Sequence, residues 1–258
     1  MIRRVMHVLI GLVIPVAVII WYASWAASAG SLYFPPIDQI WLAFTTQWFG
    51  EGFALNVLPS LRNLIVGYAL AVVLSLSIGV VAGTNRHVRA FVSPVLQIFR
   101  SVPPITLVPP LIIILGLDWG SKVVAIAIGA GLPMTVAAID GFRRIDPETM
   151  DTADAFLVRG WLRLRKVTLP AASPAILGGM QVGLQIAFIL MVASEMLGAF
   201  EGIGFVTIKA QQTFLSTDMW AGIALLSLLG VLLNFLFGVG RGQLLKWHDG
   251  MRAQASVE

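Results

Sequence analysis

Few side chains in this sequence could carry bond chemistry. The three histidines, His7, His87 and His248, are widely separated and lack metal-ligand spacing. Cysteine is absent, which removes thiolate nucleophiles, thiolate metal sites and disulfides. No GxxxxGK[ST] segment is present to cradle nucleotide phosphates. Serines and acids occur, but without a paired constellation in the apolar segments. What remains is electrostatic. Arg100 and Glu195 are ionisable groups set in apolar sequence, and such groups face protein or water because lipid makes their charge expensive. Arg100 precedes a proline-broken stretch. It either faces a central path, where it would favour anions, or it bonds backbone carbonyls or anchors the inner side. Glu195 either braces an outer gate or pairs with Lys209 or Arg62. Gln181 and Gln185, one helical turn apart, are further polar candidates for lining a path.

The densest charge lies elsewhere. Residues 146–170, DPETMDTADAFLVRGWLRLRKVTLP, carry Asp146, Glu148, Asp151, Asp154, Arg159, Arg163, Arg165 and Lys166 between two segments with almost none. Asp146-Pro147-Glu148 is a good helix start: Asp caps free amides, Pro suits the first position, and Glu favours the positive end of the dipole. The pattern predicts a helix from 147 to about 158, terminated by Gly160. A second short helix follows from Trp161 to Thr168, and Pro170 discourages its continuation. Phe156, Leu157, Trp161, Leu162 and Leu164 would be costly to leave in water on such a loop. A loop that projects apolar and basic groups together suits docking onto another protein. The competing reading is a solvated loop whose basic residues only set topology.

The elements that position these groups are membrane helices. Of 258 residues, 58% are hydrophobic and 12% charged, about half the charged share of a soluble domain. The class is an all-α integral membrane protein. Crossing about 30 Å of hydrocarbon takes about 20 helical residues, and six segments qualify: roughly 5–27, 60–83, 91–116, 122–141, 173–197 and 218–240. The first is longer than a signal-peptide core and reads as a span rather than a cleaved leader ending near Ala27–Ala29. The third holds prolines at 103, 104, 109 and 110, so it is kinked or partly unwound where protein or water faces it.

Basic residues set the orientation. Arg3, Arg4, Arg86, Arg89, Arg143, Arg144, Arg159, Arg163, Arg165, Lys166, Arg241, Lys246 and Arg252 fall on one side, and Lys122, Lys209 and Arg62 on the other. The former side is cytoplasmic, as are both termini. The net charge of +4 follows this topology rather than nucleic-acid binding. Trp25, Trp119 and Trp220 mark outer ends, and Trp161 and Trp247 the inner side. Residues 31–59 are external. Within them Ile37, Ile40, Trp41, Phe44 and Trp48 recur near helical spacing, as in a helix lying along the outer interface. Gly79 with Gly83, and Gly179 with Gly183, permit close helix approach, read as packing within one chain. Residues 1–258 read as a single transmembrane domain.

Asp151-Thr152-Ala153, followed by a basic-apolar run ending in Leu169-Pro170, resembles the EAA loop of ABC-importer permeases, the membrane subunits of binding-protein-dependent transport systems. Counted back from Pro170, the family's usual loop glycine falls at Leu157, and Gly160 lies three residues later. Pro59-Ser60-Leu61-Arg62, Arg100-Ser101-Val102-Pro103-Pro104 with Pro109, Ala193-Ser194-Glu195 and Gly202-Ile203-Gly204 are also similar to the family. Together they look most like the branch that imports nitrate, taurine, alkanesulfonates and related anions. The resemblance implies two permease copies, or two related permeases, framing a path in a prokaryotic inner membrane. It implies a cytoplasmic ABC ATPase under each, which binds ATP and Mg, and a periplasmic or lipid-anchored binding protein that delivers the substrate. This chain itself would hold no cofactor and be no enzyme. The resemblance places ATPase coupling on Asp151, Ala153, Ala155, Phe156, Leu157 and Gly160, with Arg159 and Arg163 at the rim. The rival is an ion-gradient-driven secondary transporter, which needs buried carboxylates or sodium-binding broken helices, often in paired halves.

Overall fold

The computed structural model describes residues 2–246, with side chains from residue 13. The side chains of Arg3, Arg4, His7, Trp247, His248 and Arg252 lie outside the described residues. Among the described residues every regular element is helical: α1 Ile2–Ala29, α2 Ile37–Trp48, α3 Leu58–Thr84, α4 Arg86–Arg100, α5 Val108–Leu115, α6 Trp119–Arg143, α7 Pro147–Ala155, α8 Gly160–Arg163, α9 Leu169–Gly198, α10 Ile203–Gln212 and α11 Ser216–Leu244. Four continuous helices are long and apolar enough to cross a bilayer: Phe53–Thr84, Trp119–Arg143, Gly160–Gly198 and Ser216–Leu244. A bent pair, Arg86–Arg100 with Pro104–Leu115, makes a fifth if taken as one span, and α1 contributes the apolar helix Val13–Ala29.

The third expected span is therefore interrupted at its prolines, as expected, and the interruption is a full break. α4 and the 3₁₀ turn leading into α5 meet at 90°. Pro103 and Pro104 supply no amide hydrogen, and Pro103 holds its neighbour out of the helical region. The apolar half, Pro104–Leu115, reaches only about 18 Å at 1.5 Å per residue, too short to cross alone.

α6 is the centre of the bundle, with α3 and α9 packed against it. In its most apolar stretch 61% of residues are buried, against 11% in α11, whose outward face stays open. Small residues make the close approach possible. Gly79 and Gly83 of α3 lie against Ala138 and Phe142 of α6, and Gly179 and Gly183 of α9 against Ala137 and Met134. A methyl group at Gly83 would sit 2.6 Å from the Phe142 ring. Both glycine pairs thus serve packing within the chain, as expected.

Two spans begin with the same device. A wide turn at Phe53–Val57 precedes Leu58-Pro59, and another at Leu164–Thr168 precedes Leu169-Pro170. In each, the leucine amide bonds the carbonyl five residues back. A proline cannot donate within a helix and its ring crowds the carbonyl four residues back. The extra residue in the turn relieves that conflict. This corrects the expectation that Pro170 stops the second loop helix: Gly160–Gly198 runs as one helix of 39 residues, about 58 Å long.

At the end of the bundle away from the charged loop, Tyr22, Trp25, Phe34 and Trp220 form one aromatic cluster. Its polar edges are satisfied: Tyr22 Oη donates to the Pro35 carbonyl at 2.9 Å and Trp220 Nε1 to the Tyr33 carbonyl at 2.8 Å. Arg62 stacks over Trp119, 5.7 Å from the ring centroid. The three tryptophans expected at outer ends thus each join an aromatic or cation–π contact there. α2 forms as expected, but it packs on α11. Trp48 is buried with Val57, Ile203 and Leu225, whereas Trp41 is 65% exposed.

Candidate coupling loop and membrane path

α7 starts as its sequence dictates. The Asp146 carboxylate accepts the Glu148 amide at 3.0 Å, with Pro147 at the first helical position. It ends earlier than expected, at Ala155. Leu157 takes φ +55°, the left-handed conformation that glycine adopts at helix ends. The Val158 amide reaches back to the Ala153 carbonyl at 2.9 Å and the Leu157 amide to Asp154 at 3.0 Å, which closes the helix. Gly160 is also left-handed at φ +59°, but it opens the next helix instead of closing the first. The position where the family usually has glycine is thus a position whose backbone calls for one.

The loop is braced from within. Arg163 donates to Asp154 Oδ1 at 2.7 Å and approaches Met150 Sδ at 3.2 Å. It ties the start of the long helix back onto α7, in addition to any role at a rim. Ala153 is buried within the chain, so it seats α7 and presents no surface. Asp151, Ala155, Arg159 and Gly160 are exposed. The tip displays Phe156 at 78%, Leu157 at 72% and Trp161 at 73% exposure, a concentrated apolar group on an otherwise charged loop.

Leu157 therefore carries two opposed terms. A non-glycine residue in the left-handed region costs about 1–2 kcal/mol. We expect Leu157→Gly to slow amide exchange of α7 several-fold in hydrogen-exchange measurements on the isolated chain, while weakening any protein docked on the tip. Unchanged α7 exchange would show that the strain is relieved elsewhere.

At the opposite end of the same helix lies Glu195, which is fully buried. Its Oε2 accepts from Ser60 Oγ at 2.9 Å and from the Gly204 amide at 2.9 Å. Ser60 Oγ in turn accepts the Ile203 amide at 2.9 Å, and Asn56 Oδ1 the Gly202 amide at 3.2 Å. Gly202, at φ +115°, leaves room for the carboxylate, which would collide with a Cβ there, and a Cβ at Gly204 would collide with the Val192 carbonyl and Glu195 Cβ. Lys122, at the start of α6, is also buried, 5% exposed. The hydrogen bonds form a clasp joining the ends of α3, α9 and α10. The expected alternative partners of Glu195 are engaged elsewhere: Arg62 lies 3.9 Å from Glu201, and Lys209 stacks 5.6 Å over Phe205. Lys122, read from sequence as an external marker, is buried at the start of α6.

The polar candidates of the path separate into two places. Gln181 donates to Asn234 Oδ1 at 3.0 Å and accepts from Arg241 at 2.8 Å, forming a bridge from α9 to α11. Gln185 lines a neighbouring cavity of about 440 Å³ with Phe188, Gly230 and Asn234. Arg100, at the end of α4, lines a different cleft against Asp140 and Arg143 of α6. Sequence reasoning missed Ser60, Asn56, Lys122, Asn234 and Arg241. The Pro59-Ser60-Leu61-Arg62 similarity was the one available signal, and it named no partner.

Comparison with known proteins bears on this arrangement. A family model described as "Binding-protein-dependent transport system inner membrane component" matches residues 71–242. The chain is 31% identical over 190 residues to the putative aliphatic sulfonates transport permease protein SsuC of Bacillus subtilis, covering 74% of this chain and 69% of that protein. It is 27% identical over 234 residues to the taurine transport system permease protein TauC of Escherichia coli, covering 88% and 85%. Among solved structures, one described as inward facing conformations of the MetNI methionine ABC transporter superposes with a TM-score of 0.65. It is 22% identical and covers 73% of this chain and 94% of that one. The likeness shows a shared fold.

Proposed function

The chain belongs to the family of binding-protein-dependent transport system inner membrane components, and from that premise we propose how it works. It is a multi-pass permease subunit, without a phosphate cradle of its own. In this proposal it lies in the inner membrane with both termini cytoplasmic, and residues 1–258 act as one permease domain. It pairs with a second copy or a related permease around a path for a small anion. A periplasmic or lipid-anchored binding protein delivers that anion. A cytoplasmic ABC ATPase, which binds ATP and Mg²⁺, docks on residues 146–170. The names of SsuC and TauC support a sulfonate-like cargo.

The observation that carries this reading is the continuity of Gly160–Gly198. One unbroken helix begins at the exposed apolar tip and ends at the Glu195 clasp. Docking at the tip requires anchoring apolar groups, which Phe156, Leu157 and Trp161 provide. Transmission requires that tip and helix move together, which the Arg163–Asp154 pair supports. Movement of the helix would then be felt by α3 and α10 through Glu195. Two states of such a packed element, biased by a partner's nucleotide, are sufficient to alternate access. The test is ATP-dependent uptake by the reconstituted complex, set out below.

A further inference from the structure

α4 has two faces. Arg86, Arg89, Ser93, Gln97 and Arg100 recur three or four residues apart along one side, the spacing of a single helix face. Phe91, Val95, Ile98 and Phe99 occupy the other and are exposed, at 79%, 44%, 69% and 45%. The polar side of its second half borders the inner part of α6 across a cleft of about 210 Å³. That is smaller than the roughly 300–1,000 Å³ of sites for drug-sized ligands, and on the scale of a small ion or a single headgroup.

Three of the four donors in this cleft, Ser93, Gln97 and Arg100, engage no protein partner through their side chains among the described residues. Arg143 has Asp140 at 3.8 Å, one turn back on its own helix, with both largely open to solvent. Each arginine closes its helix, where the dipole favours a cation, and both line the cleft. With Asp140 counted, the lining keeps one net positive charge. Guanidinium groups stay charged and match the paired oxygens of sulfonate, sulfate or phosphate.

We propose that the cleft between α4 and α6 is an oxyanion-binding site, with Arg100 and Arg143 as charged donors and Gln97 and Ser93 as neutral ones. Its place at the inner end of the path rests on the transport reading; its affinity for an oxyanion does not. Two sources share that chemistry, a free anion in transit and the phosphate of an anionic lipid in the inner leaflet.

Equilibrium binding of labelled sulfate to the permease–ATPase complex tests this, in nanodiscs of phosphatidylcholine and in nanodiscs containing phosphatidylglycerol. Arg100→Gln and Arg143→Gln are each expected to weaken sulfate binding by about tenfold, the scale of a lost charged hydrogen bond. Binding equal in both lipids assigns the site to a free anion. Binding suppressed by phosphatidylglycerol, with less of that lipid retained by Arg100→Gln, assigns it to a headgroup. Sulfate binding and lipid retention both untouched by the substitutions overturn the proposal. Asp140→Asn covers the case of misfolding: removing the opposing charge should tighten sulfate binding several-fold, and no tightening also counts against the site. Loss of ATP-driven uptake with sulfate binding intact would sink the transport reading and leave this one standing.

Discussion

Replacing Phe156 and Leu157 together with Asp is expected to separate the permease from its ATPase while leaving the permease itself folded. Both side chains are largely exposed in the chain alone, so their loss removes little of its own packing. Burying a Phe or Leu side chain is worth roughly 1.5–3 kcal/mol, so the pair contributes about 3–6 kcal/mol at a docked surface. At about 1.4 kcal/mol per tenfold, association weakens by two to four powers of ten, before counting a carboxylate forced against an apolar pocket. Co-purification from detergent should fail, and substrate-stimulated ATP hydrolysis should fall to the rate of the free ATPase. Thermal melting of the purified permease should not change. Assembly and stimulation that survive the double substitution would remove residues 146–170 from the docking surface.

The second large effect concerns stability. Glu195→Ala is expected to lower the melting midpoint of the solubilised permease substantially. The substitution removes the acceptor of Ser60 and of the Gly204 amide and leaves a void in a fully buried site. Leaving a buried donor unpaired costs about 1–3 kcal/mol, and the void adds a cavity cost of about the same size. At about 2–4 °C per kcal/mol for a chain of this size, a total of about 2–6 kcal/mol lowers the midpoint by roughly 4–24 °C. Glu195→Gln keeps the shape and one acceptor oxygen, so its shift should be clearly smaller. A wild-type midpoint for Glu195→Ala would mean that the clasp does not hold the ends of α3, α9 and α10 together.

The main spans were legible because a bilayer demands long apolar runs, and α3, α6, α9 and α11 obey that demand. The prolines at 103, 104, 109 and 110 signalled an interruption in the third. The size of the break did not follow. Mean hydropathy over 91–116 averages the polar stripe of α4 with the apolar run of α5, and so hides two helices of different character. At Leu157 the spacing from Pro170 held information that the residue type concealed: the backbone takes a glycine-like angle although the side chain is leucine. Gly160 looked like the terminator because glycine is the usual sign of a helix end, but here it starts a helix. The clasp was the least legible part. Ser60 and Glu195 are 135 residues apart, and no local pattern tells a buried lysine such as Lys122 from a topology marker. Only the packing of α3 and α9 onto α6, with α10 against α9, brings them together.

Uptake into proteoliposomes carrying the permease, its ATPase and its binding protein tests the central claim most directly. Labelled taurine or an alkanesulfonate outside, with Mg-ATP at the ATPase face, should accumulate against its gradient. Accumulation should stop when ATP is replaced by a non-hydrolysable analogue, when the binding protein is omitted, or when Phe156 and Leu157 are both changed to Asp. Uptake that proceeds without the ATPase, driven instead by an imposed proton or sodium gradient, would contradict the account.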